Sequence, residues 1–413
     1  MMKRKRIYFL ILICLVPVVV IYFQSLGTEE KADARGDLYA GSQKCIRCHS
    51  VEYKSYLLTG HHQASMPAAA DNIHGSFAAG SNSFLLSENS KAVMEKRGSS
   101  FFQVAYNDGK EARAERFDIT FGGVKAETYG YWKGSKVFEL PMSFFNAKNS
   151  WTNSPGYNTR HPYFDRPITQ RCFECHSSYI ASLPITNLQE QEPGFDKNSL
   201  VYGVDCERCH GPAANHVNFH TENPGEKTAK YIAKFASLTR AQKLDACSVC
   251  HGGGKDIYLE SPFKFRMGDT LAKFKEPSFA KEDPNPATID VHGNQRGLLA
   301  TSKCFLMSNM DCSNCHNIHV NETANLVAYS QRCMKCHNEA NHNFCTMAPK
   351  LGLTIKNNCI DCHMPEKPSN LISIAAAGGK KEVPYLVRTH RIAIYPEESK
   401  KILAFINDKK TVN

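Results

Sequence analysis

Cys206-Glu207-Arg208-Cys209-His210 runs directly into Gly211-Pro212-Ala213-Ala214-Asn215-His216, and this stretch decides how the rest of the chain is read. Its first five residues follow the pattern C-x-x-C-H. The pattern recurs at Cys45/Cys48/His49, Cys172/Cys175/His176, Cys247/Cys250/His251, Cys312/Cys315/His316, Cys333/Cys336/His337 and Cys359/Cys362/His363, so seven units use 14 of the 17 cysteines. Chance supplies roughly 0.03 such units at this composition. The pattern is the attachment signature of c-type haem. Two thiols two residues apart add across the vinyl groups of one porphyrin edge, and the adjoining histidine reaches the iron as proximal ligand. The cofactor expected is therefore haem c, seven copies, covalently attached.

Structural zinc is the bland competitor. Zinc ribbons pair two C-x-x-C units per metal, whereas seven is odd and zinc gives no reason for a histidine after every second cysteine. A disulfide framework leaves the histidines unexplained as well. With seven haems on 413 residues, porphyrin forms much of the core, and regular secondary structure should be sparse around it. Of the remaining cysteines, Cys14 lies in an apolar segment as a small buried residue. Ile13, where a lipoprotein would carry a small residue, argues against lipidation. Cys304 and Cys345 flank the fifth and sixth motifs, either as a disulfide or as two free thiols.

Lys3, Arg4, Lys5 and Arg6 precede an apolar run from Ile7 to Phe23, the layout of a secretory signal or uncleaved anchor with its positive side inside. Ser25-Leu26-Gly27 is a poor cleavage site, which favours the anchor. Either reading exports the body to the periplasmic side. The formal net charge of +10 falls to +6 without that flank, and ionised haem propionates offset the remainder, so nucleic acid is not an expected partner.

The motif gaps divide the chain into residues 1–27 (signal or anchor), 28–75 (first haem module), 76–160 (a β-rich insertion), 161–370 (a six-haem region) and 371–413 (a tail). In the insertion, Ala92–Met94, Phe101–Tyr106, Ala114–Phe121 and Val137–Leu140 read as strands, with Asn107-Asp108-Gly109-Lys110 as a hairpin turn. Helices are expected at Val51–Leu58, Glu226–Phe235, Arg240–Ala246 and, begun at Pro396, Glu397–Ile406; residues 252–300 read as mostly loop. The fold class expected is a mainly α and irregular multihaem fold with a haem-packed core and a small antiparallel β insertion between the first two motifs.

Ten histidines lie outside the motifs. Bis-histidine ligation fills both axial positions and favours electron transfer over binding of small molecules. The leading distal candidates are His61 or His62, His216, His319 and His390, followed by His161 and His292, and then His74, His220 and His342. Met66 is a weaker axial candidate, and Met364 reads as packing.

Tyr39-Ala40-Gly41-Ser42 before the first motif, Gly60-His61-His62 after it, the Cys206–His216 stretch, Cys312-Ser313-Asn314-Cys315-His316-Asn317-Ile318-His319 and Cys359-Ile360-Asp361-Cys362-His363-Met364-Pro365 together resemble exported multihaem cytochromes of the c-554 type. The ordered set covers most of residues 38–391. The resemblance implies closely stacked haems and periplasmic electron transfer. It also implies that His216, His319 and His390 are distal ligands, and that the His61-His62 pair reaches a neighbouring haem. The tetratricopeptide repeats fused to some relatives do not occur here.

The leading expectation is an electron carrier between a quinol-oxidising membrane complex or another cytochrome and a terminal acceptor. The alternative is an oxidoreductase with one open haem acting on nitrite, hydroxylamine or a sulfur oxyanion. His61, His62, His161, His292 and Arg296 would then be pocket donors. No C-x-x-C-K motif occurs, which counts against the lysine-ligated nitrite reductases. A passive haem-rich structural protein fits the ligand supply poorly.

Overall fold

The computed structural model describes residues 32–157, 160–185, 192–253, 257–276, 289–375 and 382–411. The basic flank, the apolar run, Cys14 and the Ser25-Leu26-Gly27 cleavage candidate lie outside the described residues. Among those described, no helix is long and apolar enough to cross a membrane.

Antiparallel strands build the middle of the chain. After β1 (Ser65–Pro67) come β2 (Ser83–Ser87), β3 (Ser90–Arg97), β4 (Ser100–Asn107) and β5 (Lys110–Arg116), a four-stranded meander. The turn between β4 and β5 holds Asp108 at φ 50° and Gly109 at φ 75°. Two successive positive φ values match the right-handed twist of a two-residue hairpin, and Asp-Gly supplies them cheaply. Then follow β6 (Ile119–Gly122), β7 (Ala126–Lys133), β8 (Lys136–Glu139), β9 (Met142–Phe145), β10 (Ser150–Asn153) and β11 (Arg166–Pro167). Together with β1 they form a seven-stranded sheet in the order β1-β6-β7-β8-β11, with β9 on β7 and β10 on β9.

The two sheets share one core. Phe84, Ala92, Met94 and Ala105 from the meander meet Tyr129, Tyr131, Leu140, Met142, Phe144 and Trp151 from the larger sheet. Removing each large side chain from water is worth about 1.5–3 kcal/mol. Buried Gln103 ties the layers by donating from Nε2 to the Met142 carbonyl at 2.7 Å and accepting the Met142 N–H at 3.0 Å. A second cluster of Ile119, Phe121, Val137, Ile168, Phe173, Ile180 and Phe195 carries the sheet onto the second motif. Phe173 lies between the two cysteines of that motif, so the sheet sets the motif's position directly.

Two hairpins complete the strands. β12 (Ser177–Ser182) leaves His176 and pairs with β13 (Phe195–Tyr202); β14 (Glu366–Ala375) leaves the seventh motif and pairs with β15 (Glu382–Arg388). Four sheets therefore correct the expectation of a mainly α and irregular fold with a small β insertion. The apolar strand residues do not need porphyrin to be covered: facing sheets bury them against one another, and strand pairing satisfies the backbone.

Helices are short. They include Ser50–Tyr56, Gln170–His176, Ala214–Glu222, Arg240–His251 and Pro396–Thr411. The helix expected at 226–235 does not form. The Lys230 N–H donates to His220 Nε2 and the Lys230 carbonyl accepts from His216 Nδ1, so its backbone serves imidazoles rather than a helical ladder.

Candidate haem sites

Each motif sits on one turn of helix or immediately after one. The His N–H donates to the carbonyl of the first cysteine at 2.9 Å in His49, His316 and His337 and at 3.1 Å in His363. That turn brings residues i, i+3 and i+4 to one face, so both thiols and the imidazole could serve one porphyrin. Local caps fix the turns. Asp205 accepts from the Arg208 N–H, Asp311 from the Ser313 N–H, and Thr239 forms a capping box with Gln242.

The motif cysteines differ in how far the protein covers them. Most are half-buried, but Cys48 of the first motif and Cys336 of the sixth are exposed free thiols. The Cys48 N–H donates to the Cys45 carbonyl at 3.3 Å and the Cys336 N–H to the Cys333 carbonyl at 3.1 Å. Cys45 and Cys333 lie beside thiols of other motifs, Cys206 and Cys359. Cys172 is exposed too, with the Thr169 hydroxyl 3.9 Å from its sulfur.

The proximal rings are oriented by the backbone. Nδ1–H donates to the carbonyl of Ala64 from His176 (3.3 Å), of Ala233 from His210 (3.2 Å), of Asn343 from His337 (3.4 Å) and of Ala393 from His363 (2.9 Å). Fixing the proton on Nδ1 leaves the Nε2 lone pair for a metal.

Four motif histidines face a second imidazole from elsewhere in the chain. Ring centroids are 6.4 Å apart for His49 and His216, 6.1 Å for His210 and His319, 6.2 Å for His316 and His390, and 6.3 Å for His251 and His61. The first three pairs are stacked at 22°, 11° and 25°, and the fourth is inclined at 70°. Two metal–nitrogen bonds of about 2.0 Å plus the ring radii give a span of about 6.3 Å, so each pair fits one iron between its rings. Direct ring stacking without an intervening atom would close to about 4.5 Å. His61 is held down to about 4 by burial and by His251, His316 and His319 around it; His390 falls to about 4 through burial and then His316 and His251. Both are therefore neutral at pH 7, the form that ligates metal.

The other sequence candidates are placed differently. The His62 ring meets the edge of Tyr56 at 5.1 Å, and exposed His161 faces no motif imidazole among the described residues. His292 donates its N–H to Asp290 and lies within electrostatic reach of His176 without a ring contact to it. His74 is occupied by buried Glu127, which also accepts from the Tyr129 hydroxyl at 2.5 Å. His220 lies beside His216, with centroids 4.6 Å apart, and His342 sits exposed in a turn. Met66 lies in β1, and Met364 follows the seventh motif, where its carbonyl accepts from Arg388. Arg296 pairs with Asp245 at 2.8 Å on the helix leading into the fourth motif. Cys304 and Cys345 are both free thiols.

One element escaped the sequence altogether. Arg35, with 4% of its side chain exposed, bridges Asp33, Asp205 and Glu207. Glu207 also accepts the N–H groups of Ala40 and Gly41 at 2.9 and 2.8 Å, so the segment entering the first motif is docked on the third. The partners stand about 170 residues apart, and no local spacing announces them.

Residues 126–211, which include the second and third motifs, match the family described as cytochrome c554 and c-prime. Over 181 residues the chain is 24% identical to the multiheme cytochrome MtrA of Shewanella baltica (strain OS185), covering 41% of this chain and 52% of that protein. The chain thus spans about half the length of that curated relative. The crystal structure of the outer cell wall cytochrome OcwA superimposes with a TM-score of 0.52 at 15% identity, over 88% of this chain and 82% of the other, a likeness of fold.

Proposed function

We propose that the chain is a multihaem c-type cytochrome that transfers electrons, and that it carries seven covalently attached haems c. We further propose that it relays electrons on the periplasmic side of the inner membrane, held there by its N-terminal segment. The four imidazole pairs at iron-spanning distance carry this reading. In it the paired axial ligands are His49 with His216, His210 with His319, His316 with His390, and His251 with His61. His176, His337 and His363 supply the proximal ligands of the other three sites. The fourteen motif cysteines form the thioethers.

Haem c, when bound, supplies a one-electron ferric–ferrous couple. The protein's part is to hold each imidazole in one tautomer, keep His61 and His390 neutral, and shield the sites from water, the levers that set potential. The donor would be a quinol-oxidising membrane complex or another cytochrome.

The test is a haem count by pyridine haemochrome and intact mass, followed by electron paramagnetic resonance of the oxidised protein. Seven haems with the paired sites low-spin support the reading. Fewer than seven, or high-spin signals from all sites, would refute it. One high-spin site within seven would shift weight to an open iron and make nitrite, hydroxylamine and sulfur oxyanions the first ligands to titrate.

A further inference from the structure

Thiols of different motifs meet in four places. Glu207 of the third motif accepts the Ala40 and Gly41 N–H groups at the entry to the first at 2.9 and 2.8 Å, and Cys250 Sγ of the fourth lies 3.9 Å from the Glu174 carbonyl of the second. Lys243, on the helix into the fourth, pairs with Asp311 before the fifth at 3.8 Å, and the Cys359 N–H of the seventh donates at 2.9 Å to Ser330 on the helix into the sixth. These contacts set Cys45 beside Cys206, Cys175 beside Cys250, Cys247 beside Cys312 and Cys333 beside Cys359. Other contacts join motifs that share no thiol pair. Cys209 of the third lies within electrostatic reach of both Cys247 and Cys250 of the fourth. Arg332, one residue before the sixth motif, donates to the Cys315 carbonyl of the fifth at 2.6 Å.

We infer that the seven attachment sites form a three-armed array with the fourth motif, Cys247 to His251, at its junction. One arm holds the third motif and then the first. A second holds the second motif alone, under the seven-stranded sheet. The third arm runs through the fifth, sixth and seventh. This deepens the seven-haem reading above and rests on it. A thioether puts the porphyrin edge one covalent bond from its sulfur, so two sulfurs in contact present two porphyrin edges side by side. Order along the chain is therefore not order in space, because the second motif leaves the path between the first and third.

The imidazole pairs, an independent set of contacts, lace the same array. His216, just past the third motif, faces His49 of the first, and His319, just past the fifth, faces His210 of the third. His61, just past the first, faces His251 at the junction, within electrostatic reach of His316 and His319. His390, beyond the seventh, faces His316 of the fifth. These crossings hold the arms around the junction. The array has three ends where a simple relay has two.

Crystals of the holo-protein, with irons located by anomalous scattering, test this directly. The iron at His251 is expected to have the irons at His176, His210 and His316 as its three nearest neighbours, and the iron at His176 to lie nearest the one at His251. An iron at His176 lying nearest His49 or His210, or a His251 iron with two near neighbours only, overturns the array. The haem count is unaffected by that result, so failure of the array is distinguishable from failure of the seven-haem reading. In solution, His61→Met keeps both thioethers at the junction while changing its potential. NMR-resolved redox titration should then show shifts at the sites of His176, His210 and His316, with His363 unmoved. A shift at His363 with none at His176 would overturn the array.

Discussion

Replacing Arg35 by leucine should loosen the attachment of the first motif to the third. Its guanidinium donates from Nε and Nη2 to Asp33 at 2.8 and 2.9 Å, from Nη1 and Nη2 to Asp205 at 3.1 and 2.8 Å, and from Nη2 to Glu207 at 3.2 Å. With 4% of the side chain exposed, solvent screens these bonds little. Burial works against the Arg35 charge, and Asp33 and Asp205 outweigh it, so its pKa rises. Removing one partner of a buried ionic group costs about 3–5 kcal/mol, because the charges left behind are uncompensated; leucine would leave three carboxylates. In the intact protein burial raises the Glu207 carboxyl, while the Ala40 and Ala213 N–H groups and Arg35 pull it down. For Asp33 burial likewise raises, but the bonds from Arg35 win and its pKa is lowered. Without Arg35 both rise. A carboxyl raised in the folded state binds protons more tightly there than in the unfolded chain. The variant's deficit should therefore be full at pH 7 and shrink as pH falls toward about 4. Guanidinium unfolding followed by the Soret band and far-ultraviolet circular dichroism, at pH 7 and pH 5, measures it. Arg35→Lys should fall between, keeping the charge without the fork. A loss below about 1 kcal/mol at pH 7, or a deficit that grows at pH 5, would refute the reasoning.

Three further outcomes are expected. His61→Ala should turn one low-spin haem high-spin in the optical and paramagnetic resonance spectra, whereas His62→Ala should leave both unchanged; equal effects would remove the basis for choosing between them. Gly75→Ala should destabilise by about 1–3 kcal/mol, since a Cβ there overlaps the buried Trp151 ring, and an unchanged thermal midpoint would contradict that packing. Burial raises Glu139 to about 7 against the pull of Arg166. A carboxyl raised in the fold weakens stability as pH climbs from about 4.5 through 7, so unfolding midpoints of the wild type should fall across that window while those of Glu139→Gln stay flatter.

What could be read from the sequence divides along the range of the interactions. The seven C-x-x-C-H units were legible because the pattern occupies five consecutive residues. The hairpin at Asn107–Lys110 was legible because two successive positive φ values call for Asp-Gly. β7 was harder, since Gly130 interrupts its pattern, and β9 and β10 were not among the expected strands because burial of nearly every residue leaves no alternation to read. His74 could not be told from a ligand, because Glu127, which takes its Nδ1, stands on a different strand. The same holds for His216 and His319, whose positions beside a motif said nothing of the ring each would face.

The thiol contacts also bear on how the protein is made. Cys45 leaves the ribosome well before Cys206, with the whole paired-sheet region between them, and the fold then sets the two sulfurs side by side. In an oxidising compartment two such thiols are a disulfide in waiting, as are Cys175 with Cys250, Cys247 with Cys312 and Cys333 with Cys359. On the seven-haem reading each sulfur must be consumed by its vinyl group before the chain closes around it, and biogenesis becomes a race between haem ligation and folding. Chain exported without the ligation machinery should carry those four long-range cross-links, readable by peptide mass mapping.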